Sequence, residues 1–321
     1  MSTFKLDDTF KLDDNTKVTD TPATDISIDA GDTADAAGQA PRRQIAGLNS
    51  QEQNDPNAIK VVIQNPDVPI VVFFGPPTCG KTMTLIRLSR FLKENGYSVE
   101  PVRSFRPGYD SHYREMCDNF NLTINSDLAQ EGTNLISFML VEVTRNGRPI
   151  CQILEAPGEH YFNPRNPNAP FPAYINTISA SPNRKLWGFF IEPDHTNADM
   201  QRQDNLNYVS RVASFKQYMH PRDRVALIFN KIDETDVMLN VGSVNARLAA
   251  KKAEYIYPGL FRIFANQNPI TRIWKPTRAD FVPYMNGRFT TLQDGRASSF
   301  QIGHDNFPRA LWNTIQKSVK G

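Results

Sequence analysis

A three-layer α/β fold, with a mostly parallel central sheet and one antiparallel hairpin strand, is what this sequence predicts, on three observations. Residues 68–74, 186–191 and 225–229 are apolar runs without polar alternation, as strands buried on both faces are. Segments of helical periodicity alternate with these runs, the pattern left by crossovers between parallel strands. The pair Asn146-Gly147 stands between two further apolar stretches and is a strong signal for a two-residue hairpin turn.

In chain order, the run 68–74 ends at Gly75, a strand meeting a turn. Residues 81–95 place Leu85, Leu88, Phe91 and Leu92 on one helical face, and Gly96 marks the stop. Residues 135–144 and 149–154 read as strands joined by Arg145-Asn146-Gly147-Arg148. Residues 161–172 hold four prolines. Proline fixes φ and removes a donor, so this stretch is a loop, either a recognition surface or an ordered spacer. Residues 197–218 form a helix between the strands 186–191 and 225–229. Residues 281–287 look like a last strand ending in a turn, which leaves 244–275 helical and 288–303 an irregular excursion. A closing helix over 307–319 carries Ala310, Leu311, Thr314 and Ile315 on one face.

The chain of 321 residues is 40% hydrophobic and 22% charged, ordinary for a globular protein. Its length suits one large domain with extensions. No apolar run approaches the roughly 18 residues of a membrane span. The opening Met-Ser-Thr-Phe-Lys-Leu-Asp-Asp has no basic segment followed by an apolar core, so a secretory signal is not expected and a cytoplasmic location is. Cys79, Cys117 and Cys151 are too few and too scattered for a disulfide framework or a zinc site and read as reduced thiols.

Charge is unevenly placed. Residues 1–40 carry nine Asp against three Lys, a net −6, which leaves +8 for the rest of a chain whose total is +2. Residues 1–57 are poor in aromatic and aliphatic side chains and are expected to be a disordered acidic tail, with the domain spanning 58–321. Inside the tail Thr-Phe-Lys-Leu-Asp-Asp occurs twice in tandem, at 3–8 and 9–14. Two copies are either a duplicated docking motif, strengthened by effective concentration, or a neutral duplication. The domain lacks a dense Lys/Arg run interleaved with aromatics, so nucleic acid is not an expected partner.

Three motifs carry chemistry. Gly75-Pro76-Pro77-Thr78-Cys79-Gly80-Lys81-Thr82 has the pattern Gly-x-x-x-x-Gly-Lys-Thr between an expected strand and an expected helix. Such a loop turns successive N–H groups and a helix N-terminus toward phosphate oxygens. Lys81 would reach the β- and γ-phosphates, and the Thr82 hydroxyl would ligate Mg²⁺. Oxidation of Cys79 inside this loop would block a nucleotide. Asn230-Lys231-Ile232-Asp233 follows the strand 225–229. A carboxylate there can accept from the ring N–H and the amine of guanine, a donor pair adenine does not present. Glu155-Ala156-Pro157-Gly158 ends another strand. A carboxylate at a strand tip can hold Mg²⁺ through water, and the Gly158 N–H can sense a γ-phosphate.

With these motifs in this order, the chain resembles a Ras-like GTPase domain of the translation-factor-related (TRAFAC) P-loop class over roughly residues 60–320. Within that class it is similar to a poorly described bacterial group of stand-alone GTPase domains. The resemblance implies a three-layer P-loop NTPase fold, GTP/GDP and Mg²⁺ as cofactors, and a switch ordered by GTP that acts on a protein effector or activator. It implies nucleotide binding by residues 75–82, Asn230, Lys231 and Asp233, with Gly158 and Glu159 in the second switch. A magnesium-binding threonine of the first switch belongs just before the hairpin: Thr133 fits, and Thr123 competes. A backbone N–H contacting the guanine oxygen belongs after the last strand, either at 265–266 or in the turn 285–287, where Asn286 sits.

The chain departs from the family where Asp is usual and Glu155 stands, and where Gln or His is usual and Glu159 stands, followed by His160. Glutamate is no donor–acceptor amide and acts as a base only when desolvation raises its pKa. Slow intrinsic hydrolysis, dependent on a partner, is therefore expected, or an adaptor that binds nucleotide without hydrolysing it. An ATP-using P-loop enzyme is a further alternative. His160 reads as a surface residue at a loop start. The stretch 96–130 is longer than a minimal GTPase needs. Its Arg103, Arg106 and Arg114 read as solvated surface, with a charge supplied in cis as the sharper alternative.

Overall fold

In a computed structural model that describes residues 45–125, 136–193, 198–268, 277–291 and 298–320, the chain first runs as a strap along the domain. Its helix α1 (Ser50–Asn54) is closed by a capping box. The Asn49 side chain accepts from the Glu52 N–H, and the Glu52 carboxylate accepts from the Asn49 N–H. Leu48 and Ile59 on either side are buried. Residues 45–57 stand before the expected domain start at residue 58. A few buried anchors, Leu48 and Glu52 among them, hold this stretch, which is polar on average. The tandem repeat and the rest of the acidic tail lie outside the described residues.

The strap leads into strand β1 (Ile70–Phe74), then α2 (Lys81–Glu94), β2 (Ser98–Pro101) and α3 (Ser111–Asn125). The hairpin follows as β3 (Met139–Arg145) and β4 (Arg148–Glu155). Asn146 at φ 51° and Gly147 at φ 72° are the two left-handed residues such a turn requires. Next come α4 (Gly158–Tyr161), the proline-rich loop, α5 (Ala173–Ala180), β5 (Lys185–Ile191), α6 (Ala198–Phe215) and β6 (Arg224–Phe229). The chain continues through a small ribbon of β7 (Met238–Asn240) and β8 (Ser243–Val244), then α7 (Ala246–Ile256), α8 (Leu260–Ile263) and β9 (Ala279–Pro283). It closes with β10 (Gly287–Thr291), β11 (Ser298–Ile302) and α9 (Asn306–Lys320).

Seven of these strands form one sheet in the order β2-β3-β4-β1-β5-β6-β9. β4, β1, β5, β6 and β9 are mutually parallel, β3 runs against β4, and β2 runs against β3, so β3 alone opposes the rest. On one face Phe74 packs with Phe189 of β5, Phe215 of α6 and Phe171. Helices α2 and α9 meet each other on the opposite face, against β4, β5 and β9. This is the predicted three-layer α/β arrangement. Its consequence for function is directional: the parallel strands all end at one edge, where α/β sheets place their ligands.

Three parts of the chain differ from expectation. The stretch 96–130 contains β2 and α3, whose buried Tyr113, Met116, Cys117, Phe120 and Ile124 follow helical spacing. Within the expected irregular excursion 288–303, residues 288–291 and 298–302 belong to β10 and β11, which pair antiparallel. The extended run expected from Leu135 begins only at Met139, because Phe138 sits at φ 45°.

Candidate functional site

The C-terminal edge of β1 delivers the loop of residues 75–82. A side chain at Gly75 would come within 2.8 Å of both Cys79 Sγ and Phe190 Cβ, so only glycine lets the loop leave the strand here. Thr78 at φ 64° and Gly80 at φ 87° are left-handed, a geometry that turns neighbouring N–H groups inward. Pro76 and Pro77 have no N–H, so the donors of the loop begin at Thr78. No side chain caps the start of α2, which leaves its first N–H groups facing the loop.

Lys81 is buried and donates through Nζ to the carbonyls of Gly75 at 3.1 Å and Pro76 at 2.9 Å. Beside it the Thr82 hydroxyl donates to Glu155 Oε1 at 3.0 Å. The other carboxylate oxygen, Glu155 Oε2, is buried with no partner. Burial raises the Glu155 pKa, against the opposing pull of Lys81 and Thr82. A hydroxyl and an unpartnered carboxylate oxygen side by side are hard donors of the kind Mg²⁺ takes, so the residues present fit that ion.

Past Glu155, the backbone of Gly158 closes directly on the loop. A Cβ there would lie 2.2 Å from Pro77 N and 2.4 Å from Pro76 C. Glu159 is exposed. His160 is buried, with Nδ1 3.0 Å from the Tyr174 hydroxyl, and burial with the nearby Lys81 charge pushes its pKa down to about 4. The expectation of a surface histidine is thus corrected: α5 packs back over α4 and covers it. Arg106 is likewise buried rather than solvated, paired with Glu52 and Asp110.

The other side of the site forms where β6 and β9 end beside the loop. Asn230 is fully buried and donates Nδ2 to the Cys79 carbonyl at 2.8 Å, tying Asn-Lys-x-Asp to the phosphate loop. Asn286 donates Nδ2 to Thr84 Oγ1 at 3.3 Å. The Oδ1 atoms of Asn230 and Asn286 are both buried without a partner. Lys231, left-handed at φ 54°, is ion-paired to Glu192 at the end of β5. A cavity of about 290 Å³ joins Thr78, Gly80, Met83, Asn230, Lys231 and Asp233 with Asn286, Gly287 and Arg288. That volume is close to the lower end for small-ligand sites. A larger cavity of about 510 Å³ opens beside Arg224 at the start of β6, at the opposite sheet edge from the loop, and lacks any of the motif residues.

The structure therefore gathers residues 75–82, Glu155, Gly158, Asn230, Lys231, Asp233 and Asn286 along one edge. Of the two candidates for the last loop, Ala265 bridges Thr277 ahead of β9, at the end away from this site, whereas Asn286 and Gly287 line the cavity. Thr133 lies outside the described residues. Thr123 belongs to α3, where its carbonyl accepts from Arg90. Glu192 and Arg288 escaped the sequence reading. Arg288 stands directly after the turn holding Asn286, and a charged side chain there was a usable signal.

No protein-family model matches the chain, and no curated protein matches it. Among solved structures it is similar to a putative nucleolar GTP-binding protein 1 from Plasmodium falciparum, at 14% identity over 70% of this chain and 80% of that one, with a TM-score of 0.33. It is also similar to the S. cerevisiae Ski7 GTPase-like domain bound to GDP and inorganic phosphate, at 13% identity over 80% of this chain and 51% of that one, TM-score 0.40. A third is the signal recognition particle receptor SRb-GTP/SRX complex from Chaetomium thermophilum, at 15% identity over 68% of this chain and 90% of that one, TM-score 0.34. All three scores are below 0.5, and the sheet order with a phosphate-type loop at the end of β1 defines the fold class without them. Among the described residues no helix is long and apolar enough to cross a membrane.

Proposed function

We propose that the protein is a guanine-nucleotide switch that binds GTP and GDP with Mg²⁺, hydrolyses GTP slowly, and acts on a protein partner. The observation that carries this reading is the cavity shared by Gly80 of the phosphate loop and Asn230, Lys231 and Asp233. In it the N–H groups from Thr78 onward cradle phosphates, and Lys81 leaves the Gly75 and Pro76 carbonyls to meet them. Thr82 and Glu155 would hold Mg²⁺, and the ion would supply positive charge beside the phosphate oxygens. Asp233 accepts from guanine, and Asn286 and Gly287 close the base side. Switch segments act through what they bind, and the repeat at residues 3–14 offers two copies of one docking motif.

A second reading, an adaptor that binds nucleotide without hydrolysing it, is favoured by one observation: His160 is buried, with Nδ1 bonded to Tyr174. Single-turnover measurement of phosphate release separates the two. The base assignment is tested by Asp233→Asn, which replaces an acceptor with a donor. Leaving the guanine donors unmatched costs roughly 1–3 kcal/mol, so GTP should bind roughly 5- to 150-fold more weakly while xanthosine triphosphate improves. Unchanged GTP affinity, or equal competition by ATP in the wild type, defeats the guanine assignment.

A further inference from the structure

The position of Gly158 against the phosphate loop can be traced, contact by contact, to the strap on the far side of α3. Arg106 uses all three guanidinium nitrogens there. Nε donates to Asp110 at 2.9 Å, Nη1 to the Lys60 carbonyl at 2.9 Å, and Nη2 to the Glu52 carboxylate of α1. Its guanidinium carbon lies 5.5 Å from the centre of the Phe138 ring. Phe138 meets the Tyr174 ring edge-on at 4.8 Å, and the Tyr174 hydroxyl bonds His160 Nδ1 at 3.0 Å. His160 is two residues from Gly158, whose backbone abuts Pro76 and Pro77. The strap also reaches the same helix directly, because Asn57 Oδ1 accepts from the Ala173 N–H that opens α5.

We infer that Arg106, clamped by Glu52, is a positioning residue for Gly158 and sets the preference between nucleoside triphosphate and diphosphate. The inference rests on the nucleotide-switch reading above. On the switch reading the Gly158 N–H meets a third phosphate and not a diphosphate, so only a triphosphate asks Gly158 to withdraw from its contact with Pro76 and Pro77. Whatever fixes Tyr174 and His160 opposes that withdrawal and lowers triphosphate affinity selectively, because a ligand shifts an equilibrium only by its difference in affinity for the two states. The contacts form a packed series from the strap to Gly158, and the two-state element it would bias is Gly158 against Pro76 and Pro77.

The test uses the full chain freed of nucleotide and titrated with fluorescent GDP and GTP in Mg²⁺. Glu52→Gln loosens the clamp while Arg106 keeps Asp110, and Tyr174→Phe removes one hydroxyl at the other end of the series. Each should shift the affinity ratio at least threefold toward GTP with GDP affinity within twofold of wild type. The double variant should shift no further than the larger single one, because both act through the same contacts. An unchanged or reversed ratio in Tyr174→Phe, or full additivity, overturns the inference while leaving the switch reading intact. A wild type that binds neither nucleotide overturns both.

Discussion

Gly80→Ala probes the joint on which the whole site depends. Gly80 sits at φ 87°, and an added Cβ would lie 2.3 Å from Asn230 Nδ2 and 3.4 Å from Asn286 Nδ2. Holding an L-residue left-handed costs about 1–2 kcal/mol. The Cβ also forces the Asn230 amide off the Cys79 carbonyl it now meets at 2.8 Å, in a fully buried setting. Stranding such a group costs about 1–3 kcal/mol more. Gly96→Ala is the matched control, since Gly96 has φ 79° and nothing within 4 Å of the built Cβ. It carries the backbone cost alone. Urea and thermal unfolding of the nucleotide-free chain should therefore place Gly80→Ala below Gly96→Ala by about 1–3 kcal/mol, or roughly 2–12 °C in midpoint. Equal stability in the two variants would show that Asn230 does not brace the loop.

Two further predictions concern buried titratable groups. The His160 imidazole, held down to about 4, stays neutral in the folded protein while the unfolded chain takes up a proton near 6.5. Stability should therefore fall as pH drops from 6.5 toward 4, by up to about 3 kcal/mol. His160→Gln should flatten this slope in unfolding experiments across that window, and an unaltered slope would assign the acid sensitivity elsewhere. Burial pushes the Cys79 thiol up to about 11, so a thiol reagent at neutral pH should leave it unlabelled until urea opens the chain. Fast labelling of the native protein would mean that the loop opens readily, and it would revive oxidation at Cys79 as a control point.

The parallel strands and the loop were legible because local chemistry decides them. An apolar run from Val68 ends in Gly75, and Lys81-Thr82 opens a helix whose face reads Leu85, Leu88, Phe91, Leu92. The same holds for the hairpin at Asn146-Gly147, whose turn demands positive φ at both residues. What escaped depends on distant partners. Glu52 reads as one more polar residue of a tail until Arg106, 54 positions later, buries it. His160 looks like a loop residue because nothing near it in sequence shows that Tyr174 will cover it. Helix α3 was different: Tyr113, Met116, Cys117, Phe120 and Ile124 already spell its buried face.

The buried residues also bear on how fast this site can hydrolyse GTP. A well-placed general base contributes roughly 10²–10⁴-fold, and a transition-state arginine roughly 10³–10⁵-fold. His160 is buried where it stands, with Nδ1 held against the Tyr174 hydroxyl of α5, so water has no open approach to the ring. Arg106 is committed to Glu52, Asp110 and the Lys60 carbonyl, and Arg103 is paired with Asp118. Among the described residues, exposed Glu159 stands beside Gly158, Arg114 is exposed on α3, and Arg288 lines the cavity. In the proposed switch, Lys81, Thr82 and Glu155 would supply charge and metal ligation but would not orient a water. Both missing factors point the same way. Fast turnover needs a group brought by a partner, or a movement of α4 that releases His160 from Tyr174, and Tyr174→Phe separates these because it frees His160 without adding a partner.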